Sequence, residues 1–211
     1  MRTVDFYFDY SSTNSYFAAF MLPQICARHG ARVRWLPLHL AALFRGTGFD
    51  VMAMTPHKAR YLWRDHARYA EFTGLPFRKP SRFPIKTALA LRATLAIPRL
   101  FEPGARLDDD ALARREEEIG RFAQALFRAY WERDEDIARP ETIARVAREE
   151  GFDGERLAEL ADSSAARETL ASVTQVAIER GVFGAPTFFV GDEMFWGKDR
   201  LDFVERLLKA R

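Results

Sequence analysis

The strand signals in this chain sit at its two ends. Near the start, Val4 to Tyr10 (VDFYFDY) alternates aromatic and acidic side chains, the period of a half-buried strand. The polar run Ser11-Ser12-Thr13-Asn14-Ser15 follows, and an apolar helical pattern then continues to about Arg28, where His29-Gly30 stops it. Ala31 to Leu38 (ARVRWLPL) is a second strand. A strand, a helix and a strand in close succession favour a parallel pair with a right-handed crossover. Near the end, Thr187 to Val190 and Glu193 to Trp196 are two short strands around a Gly191-Asp192 turn, and Lys198 to Lys209 is a closing amphipathic helix. Everything between reads as helix: Pro56 to Thr73, Thr87 to Ala96, a long helix capped by Asp108-Asp109-Asp110 and running to about Glu132, then helices opened by Pro140, Asp153 and Ser163. One small sheet must therefore be assembled from both ends. We expect an α/β fold in which residues 1–40 and 182–211 form one domain and residues 41–181 a helical insertion.

Composition narrows the function. Hydrophobic residues make up 48% of the 211, enough for a real core, and charged residues 29%. Thirty-two basic and 30 acidic side chains nearly cancel and alternate along the chain, so nothing points to a nucleic-acid partner. No apolar stretch approaches the roughly 20 residues that span a bilayer, and no targeting segment is visible. The expectation is a cytoplasmic protein without a membrane partner. Cys26 is the single cysteine and lies in an apolar run, as a buried small hydrophobe would. His29, His39, His57 and His66 show no metal-type spacing, and the Asp108–Asp110 run reads as a helix cap, so no metal is expected.

Two segments could carry chemistry. The first is the junction Asp9 to Tyr16. A helix N-terminus presents unpaired N–H groups and about half a positive charge, which favours a bound anion, a thiolate included. A serine hydroxyl there can donate to that anion; equally, these serines could serve only as caps. The second is Gly184-Ala185-Pro186-Thr187. A proline directly before a strand either initiates it or forms a cis bond beside an edge that can take an extended peptide. Together with the β-α-β start, the hairpin and the closing helix, these are the parts of a thioredoxin-like sheet with a large helical insertion of the DsbA type. Where that superfamily has a CxxC motif, this chain has Ser12-Thr13-Asn14-Ser15. Dithiol exchange is chemically impossible at such a frame.

At these residues the chain resembles the 2-hydroxychromene-2-carboxylate isomerases and the kappa-class glutathione transferases. Asp9-Tyr10-Ser11-Ser12-Thr13-Asn14-Ser15-Tyr16 is similar to the family pattern D-F-x-S-P-x-S-Y. Val182 to Phe188 and Gly191 to Leu201 match its tail, and Pro56-His57-Lys58, Gly74-Leu75-Pro76, Phe83-Pro84 and Ala90-Leu91-Arg92 its middle. The resemblance covers essentially the whole chain. It implies glutathione as cofactor, an aromatic carboxylate as substrate, a place in aromatic catabolism and a homodimer. Ser12 would polarise the glutathione thiol, Ala185 beside a cis Pro186 would pair with its cysteinyl part, and Trp196, Gly197, Lys198 and Asp199 would hold its γ-glutamyl end. Arg45, Lys58, Tyr61, Phe83 and Arg92 would be substrate contacts. Glutathione transfer or peroxide reduction is the alternative activity, and a non-catalytic glutathione-binding or redox-dead protein the alternative class. Thr13 and Phe49 depart from the family's proline and asparagine, and Ser11 beside Ser12 leaves two registers open.

Overall fold

Strand β1 (Arg2–Phe8) lies inside a four-stranded sheet ordered β2-β1-β3-β4. The structure is a computed structural model that describes residues 2–48, 55–100 and 109–210. β2 (Ala31–Pro37) runs parallel to β1, pairing Val4 with Val33 and Phe6 with Trp35. β3 (Thr187–Val190) is antiparallel to β1, with Phe6 opposite Phe188, and β4 (Glu193–Trp196) is antiparallel to β3. The two ends of the chain thus build one sheet of the expected thioredoxin-like kind. Position in the sheet explains the burial. β1 is buried from Val4 onward, whereas β2, at an edge, alternates and exposes Arg34. Asp5, buried within β1, is neutralised by Arg34 at 2.6 Å and Arg180 at 2.8 Å. β1 ends at Phe8, two residues short of the expected Tyr10, because the Asp9 carboxylate pulls the chain into a turn by accepting from the Ser11 N–H.

Nine α-helices occur among the described residues. They are α1 (Thr13–Arg28), α2 (Leu40–Thr47), α3 (Pro56–Thr73), α4 (Ala88–Ala96), α5 (Asp109–Trp131), α6 (Pro140–Glu149), α7 (Gly154–Asp162), α8 (Ser164–Glu179) and α9 (Leu201–Ala210). α2 was not expected. It is short, and its only signal is the left-handed Gly48 that ends it. The closing helix differs too: Lys198–Arg200 form a 3₁₀ turn before α9 starts. The cap expected at Asp108 lies outside the described residues.

One core takes side chains from the sheet and the insertion alike. Val4, Phe6 and Phe8 meet α1, α5 and α9 through Phe17, Phe127 and Val204, and each fully buried ring contributes about 1.5–3 kcal/mol. The other sheet face packs Tyr7 and Phe189 against Leu43 of α2 and Ala177 of α8. Two glycines set how closely the helices approach. A Cβ on Gly120 would come within 2.5 Å of the Trp35 indole, and one on Gly154 within 2.1 Å of the Ala144 carbonyl oxygen. Pro23, inside α1, cannot donate to the Ala19 carbonyl; Gln124 of α5 does so instead, at 2.8 Å.

Candidate active site

The start of α1 is where the sheet and the insertion meet. Ser12 is its N-cap: the Oγ accepts from the Ser15 N–H at 3.1 Å. The same hydroxyl donates to the Ala185 carbonyl at 3.0 Å, across 173 positions of sequence. Ala185–Pro186 is a cis peptide, and the Pro186 carbonyl accepts from the Gly197 N–H at 3.0 Å. Ser11 is turned the other way, its N–H and Oγ both bonded to Asp9 Oδ1 at 2.8 Å. The geometry therefore separates the two serines, and only Ser12 faces Ala185. Asp9, almost wholly buried, also accepts through Oδ2 from the Leu40 N–H at 2.9 Å and the Thr87 hydroxyl at 3.2 Å. One carboxylate thus fixes the Ser11–Ser12 turn against α2 and α4. Ser15 is fully buried, and its hydroxyl has no partner.

From this turn a ring of side chains runs around the end of α1. The Trp131 indole donates to the Tyr10 carbonyl at 2.9 Å. Phe77 stacks on Trp131 with centroids 6.0 Å apart, and Phe83 approaches it at 6.2 Å. Phe83 meets Trp63 edge-on at 4.9 Å, and Lys79 holds its ammonium 5.0 Å above the Trp63 ring. Trp63 adjoins His66, His66 adjoins Phe17, and Phe17 meets Tyr69 edge-on at 4.9 Å. The Lys198 ammonium sits 4.0 Å above the Tyr69 ring, next in sequence to Gly197, which returns the circuit to Pro186. Burial among these rings and the nearby Lys198 charge push His66 down to about 4, so it is neutral at pH 7.

Of the residues singled out in the sequence, Ser12, Ala185, Pro186, Gly197, Lys198 and Phe83 belong to this circuit. Trp196 is half exposed and pairs with Phe183 at 5.1 Å, its indole lying against Gly184. Asp199 is exposed and bonds Arg200 at 2.7 Å. Lys58 and Tyr61 lie on the exposed side of α3, and Arg45 is exposed on α2, close enough to oppose protonation of His39. Arg92 is directed away, donating to the Ala161 carbonyl at 2.6 Å. Phe49 lies outside the described residues. Sequence reasoning did not single out Trp63, Phe77, Lys79 or Trp131 for this site. The available signal was the spacing of Trp63, His66 and Ala70, which fits one helix face.

The chain's own thiol does not serve this site. Cys26 is buried in α1, and burial pushes it up to about 12. Two surface cavities, of about 440 and 490 Å³, flank strand β2 instead: Asp5, Arg34 and Arg180 help line the first, Cys26, Trp35 and Gly120 the second. Neither contains a residue of the Ser12 circuit. Among the described residues no cluster of His, Cys, Asp or Glu could hold a metal ion, and no helix is long and apolar enough to cross a membrane.

The chain matches the DSBA-like thioredoxin domain over residues 3–100 and 110–209. It is 32% identical to a Pseudomonas putida protein named 2-hydroxychromene-2-carboxylate isomerase, over 96% of this chain and 92% of that one. A Caenorhabditis elegans protein named glutathione S-transferase kappa 2 is 26% identical, over 98% and 92%. The solved structure of a 2-hydroxychromene-2-carboxylate isomerase superposes with a TM-score of 0.81 at 28% identity, covering 99% of this chain and 95% of its own.

Proposed function

The chain belongs to the 2-hydroxychromene-2-carboxylate isomerase family of DSBA-like thioredoxin domains, and from that membership we propose that it isomerises an aromatic carboxylate with glutathione as cofactor. The observation that carries this reading is the Ser12 hydroxyl, held at the N-cap of α1 and facing Ala185 where a redox member of the fold would have a thiol.

The residues at the site suit glutathione. Cys26 cannot supply a nucleophile there, so the thiol has to come from outside. Ser12 offers an O–H donor, and the first N–H groups of α1 add the positive end of the helix. When bound, glutathione supplies a thiol nucleophile that adds reversibly to a conjugated double bond and is regenerated after rotation about the resulting single bond. Ser12 swings its O–H from the Ala185 carbonyl toward that sulfur and stabilises the thiolate. Ala185 then offers its carbonyl to a backbone-like partner. Gly197 to Asp199 hold the γ-glutamyl end through N–H groups and the Asp199 carboxylate. Trp63 and Phe83, packed on the fully buried Trp131, form the face for a flat aromatic substrate, with Lys79 as counter-charge for its carboxylate. Arg45, Lys58 and Tyr61 are assigned to the outer rim. Family resemblance supports a cytoplasmic homodimer.

Incubating the purified protein with 2-hydroxychromene-2-carboxylate and substoichiometric glutathione tests the reading. Full conversion to an isomer with the thiol recovered is the expected result. Stoichiometric loss of glutathione would move the assignment to the transferase activity named in the kappa-class relative, and no turnover would refute the isomerase.

A further inference from the structure

Among the described residues, two buried polar side-chain atoms have no hydrogen-bond partner: the Ser15 hydroxyl and Nδ1 of His66. Ser15 belongs to the Ser12 turn. His66 has no part in the thiol site or the aromatic face assigned above, yet it lies between them. Its ring meets Trp63 edge-on at 6.0 Å and Phe77 at 6.3 Å, and Phe17 is 6.4 Å away. Lys198, from the turn after Gly197, is close enough to oppose its protonation. Burial and that charge outweigh Asp65 and keep the ring neutral at pH 7. A neutral imidazole carries one proton, and its surroundings choose the nitrogen. On Nδ1 the proton would form a buried N–H with no acceptor, the costlier kind of orphan. It therefore resides on Nε2, which bonds no described residue and, unlike Nδ1, is open to solvent. The outcome is a neutral N–H donor with its ring held among three aromatic neighbours and no acceptor of its own.

The reaction needs such a donor. C2 of 2-hydroxychromene-2-carboxylate carries a hydroxyl and the ring oxygen, so opening that ring leaves a ketone conjugated with the double bond. As the C–S bond forms at the far carbon, the double-bond electron pair is displaced toward the ketone, whose oxygen becomes an enolate. When the C–S bond breaks after rotation, the pair returns and the ketone is restored. No proton has to change hands at that oxygen, so a neutral donor suits it better than an acid. Ser12 is committed to the sulfur and Lys79 to the carboxylate. We propose that the Nε2–H of His66 donates to the ketone oxygen of the ring-opened substrate and stabilises the enolate that forms there. The proposal rests on the isomerase reading above and supplies the group that receives the developing charge.

Steady-state kinetics of the full chain with glutathione present, joined to infrared spectra of a bound ketone, test the proposal. His66→Phe keeps the ring's shape without the donor; kcat should fall about 100-fold with KM changed by less than about threefold, the worth of one oxyanion donor. His66→Gln, whose amide reaches the place of Nε2, should recover much of that loss, whereas the shorter His66→Asn should not. The pKa of the bound glutathione thiol should be the same in all four proteins, because Ser12 is untouched. The infrared probe is benzylidenepyruvate bound together with S-methylglutathione, which fills the thiol site but cannot add. Its ketone stretch should lie lower in wild type than in His66→Phe. A kcat for His66→Phe within about threefold of wild type, equal losses in His66→Phe and His66→Gln, or the same ketone stretch in both proteins would overturn the role of His66 and leave the isomerase reading standing. Absence of turnover by wild type would overturn both.

Discussion

Asp9→Asn changes one atom of the polar knot beneath the candidate site. The two oxygens of Asp9 each accept one backbone N–H, Ser11 at 2.8 Å on Oδ1 and Leu40 at 2.9 Å on Oδ2. Each also accepts a hydroxyl, from Ser11 and Thr87. A hydroxyl can rotate and accept from an amide; a backbone N–H cannot. Whichever way the asparagine amide is turned, its NH₂ faces one backbone donor and leaves it unpartnered. An orphaned buried N–H costs about 1–3 kcal/mol, so we expect Asp9→Asn to lose about 2 kcal/mol. At an m-value of about 2 kcal/mol/M the urea midpoint falls by roughly 1 M with the slope unchanged. Amide exchange should also speed up at Leu40 or Ser11, and at whichever residue the NH₂ is facing. A midpoint within about 0.2 M of wild type would refute the premise that both carboxylate oxygens are needed as acceptors.

Gly154→Ala should destabilise by about 3 kcal/mol or more, measured by thermal melting, because its Cβ would meet the rigid Ala144 carbonyl; wild-type stability would contradict that close approach. His66 titrates near 4 in the folded protein against about 6.5 unfolded, so the unfolded state takes up a proton first. Its contribution is complete above about pH 6.5 and is lost as pH falls toward 4, by up to ~3 kcal/mol; His66→Phe should flatten that slope in denaturation curves taken across the interval. Trp63→Ala should raise KM for the aromatic substrate severalfold and leave glutathione affinity unchanged, since Trp63 contacts Phe83, His66 and Lys79 and none of the residues assigned to the thiol.

Much of this was legible in local chemistry. Pro56 after Thr55 and the left-handed Gly74 bound α3 where sequence reading put it, and the short strands of the hairpin fall on the expected residues. The Ser12 cap was legible as a cap. That Ser12 rather than Ser11 faces Ala185 was not, because the choice is made by Asp9, and the bonds Asp9 makes to Leu40 and Thr87 arise only on folding. The aromatic face was hidden for a related reason. Trp63, Phe83 and Trp131 lie on α3, a loop and α5, and each alone reads as an ordinary core ring. Arg92 shows the opposite failure: a cation in a family-like motif spends its donors on the end of α7. α2 was missed because eight residues hold barely two turns of pattern.

The account stands on one act of Ser12, hydrogen-bonding a thiolate brought in by the ligand. The pKa of glutathione's thiol when bound, followed by thiolate absorbance in wild type and in Ser12→Ala, tests it most directly. The account predicts a bound thiol well below the usual value of about 8.5 in wild type, and a rise of about 1–2 units in Ser12→Ala, the worth of one hydrogen bond to a charged group. The same bound-thiol pKa in both proteins would contradict it.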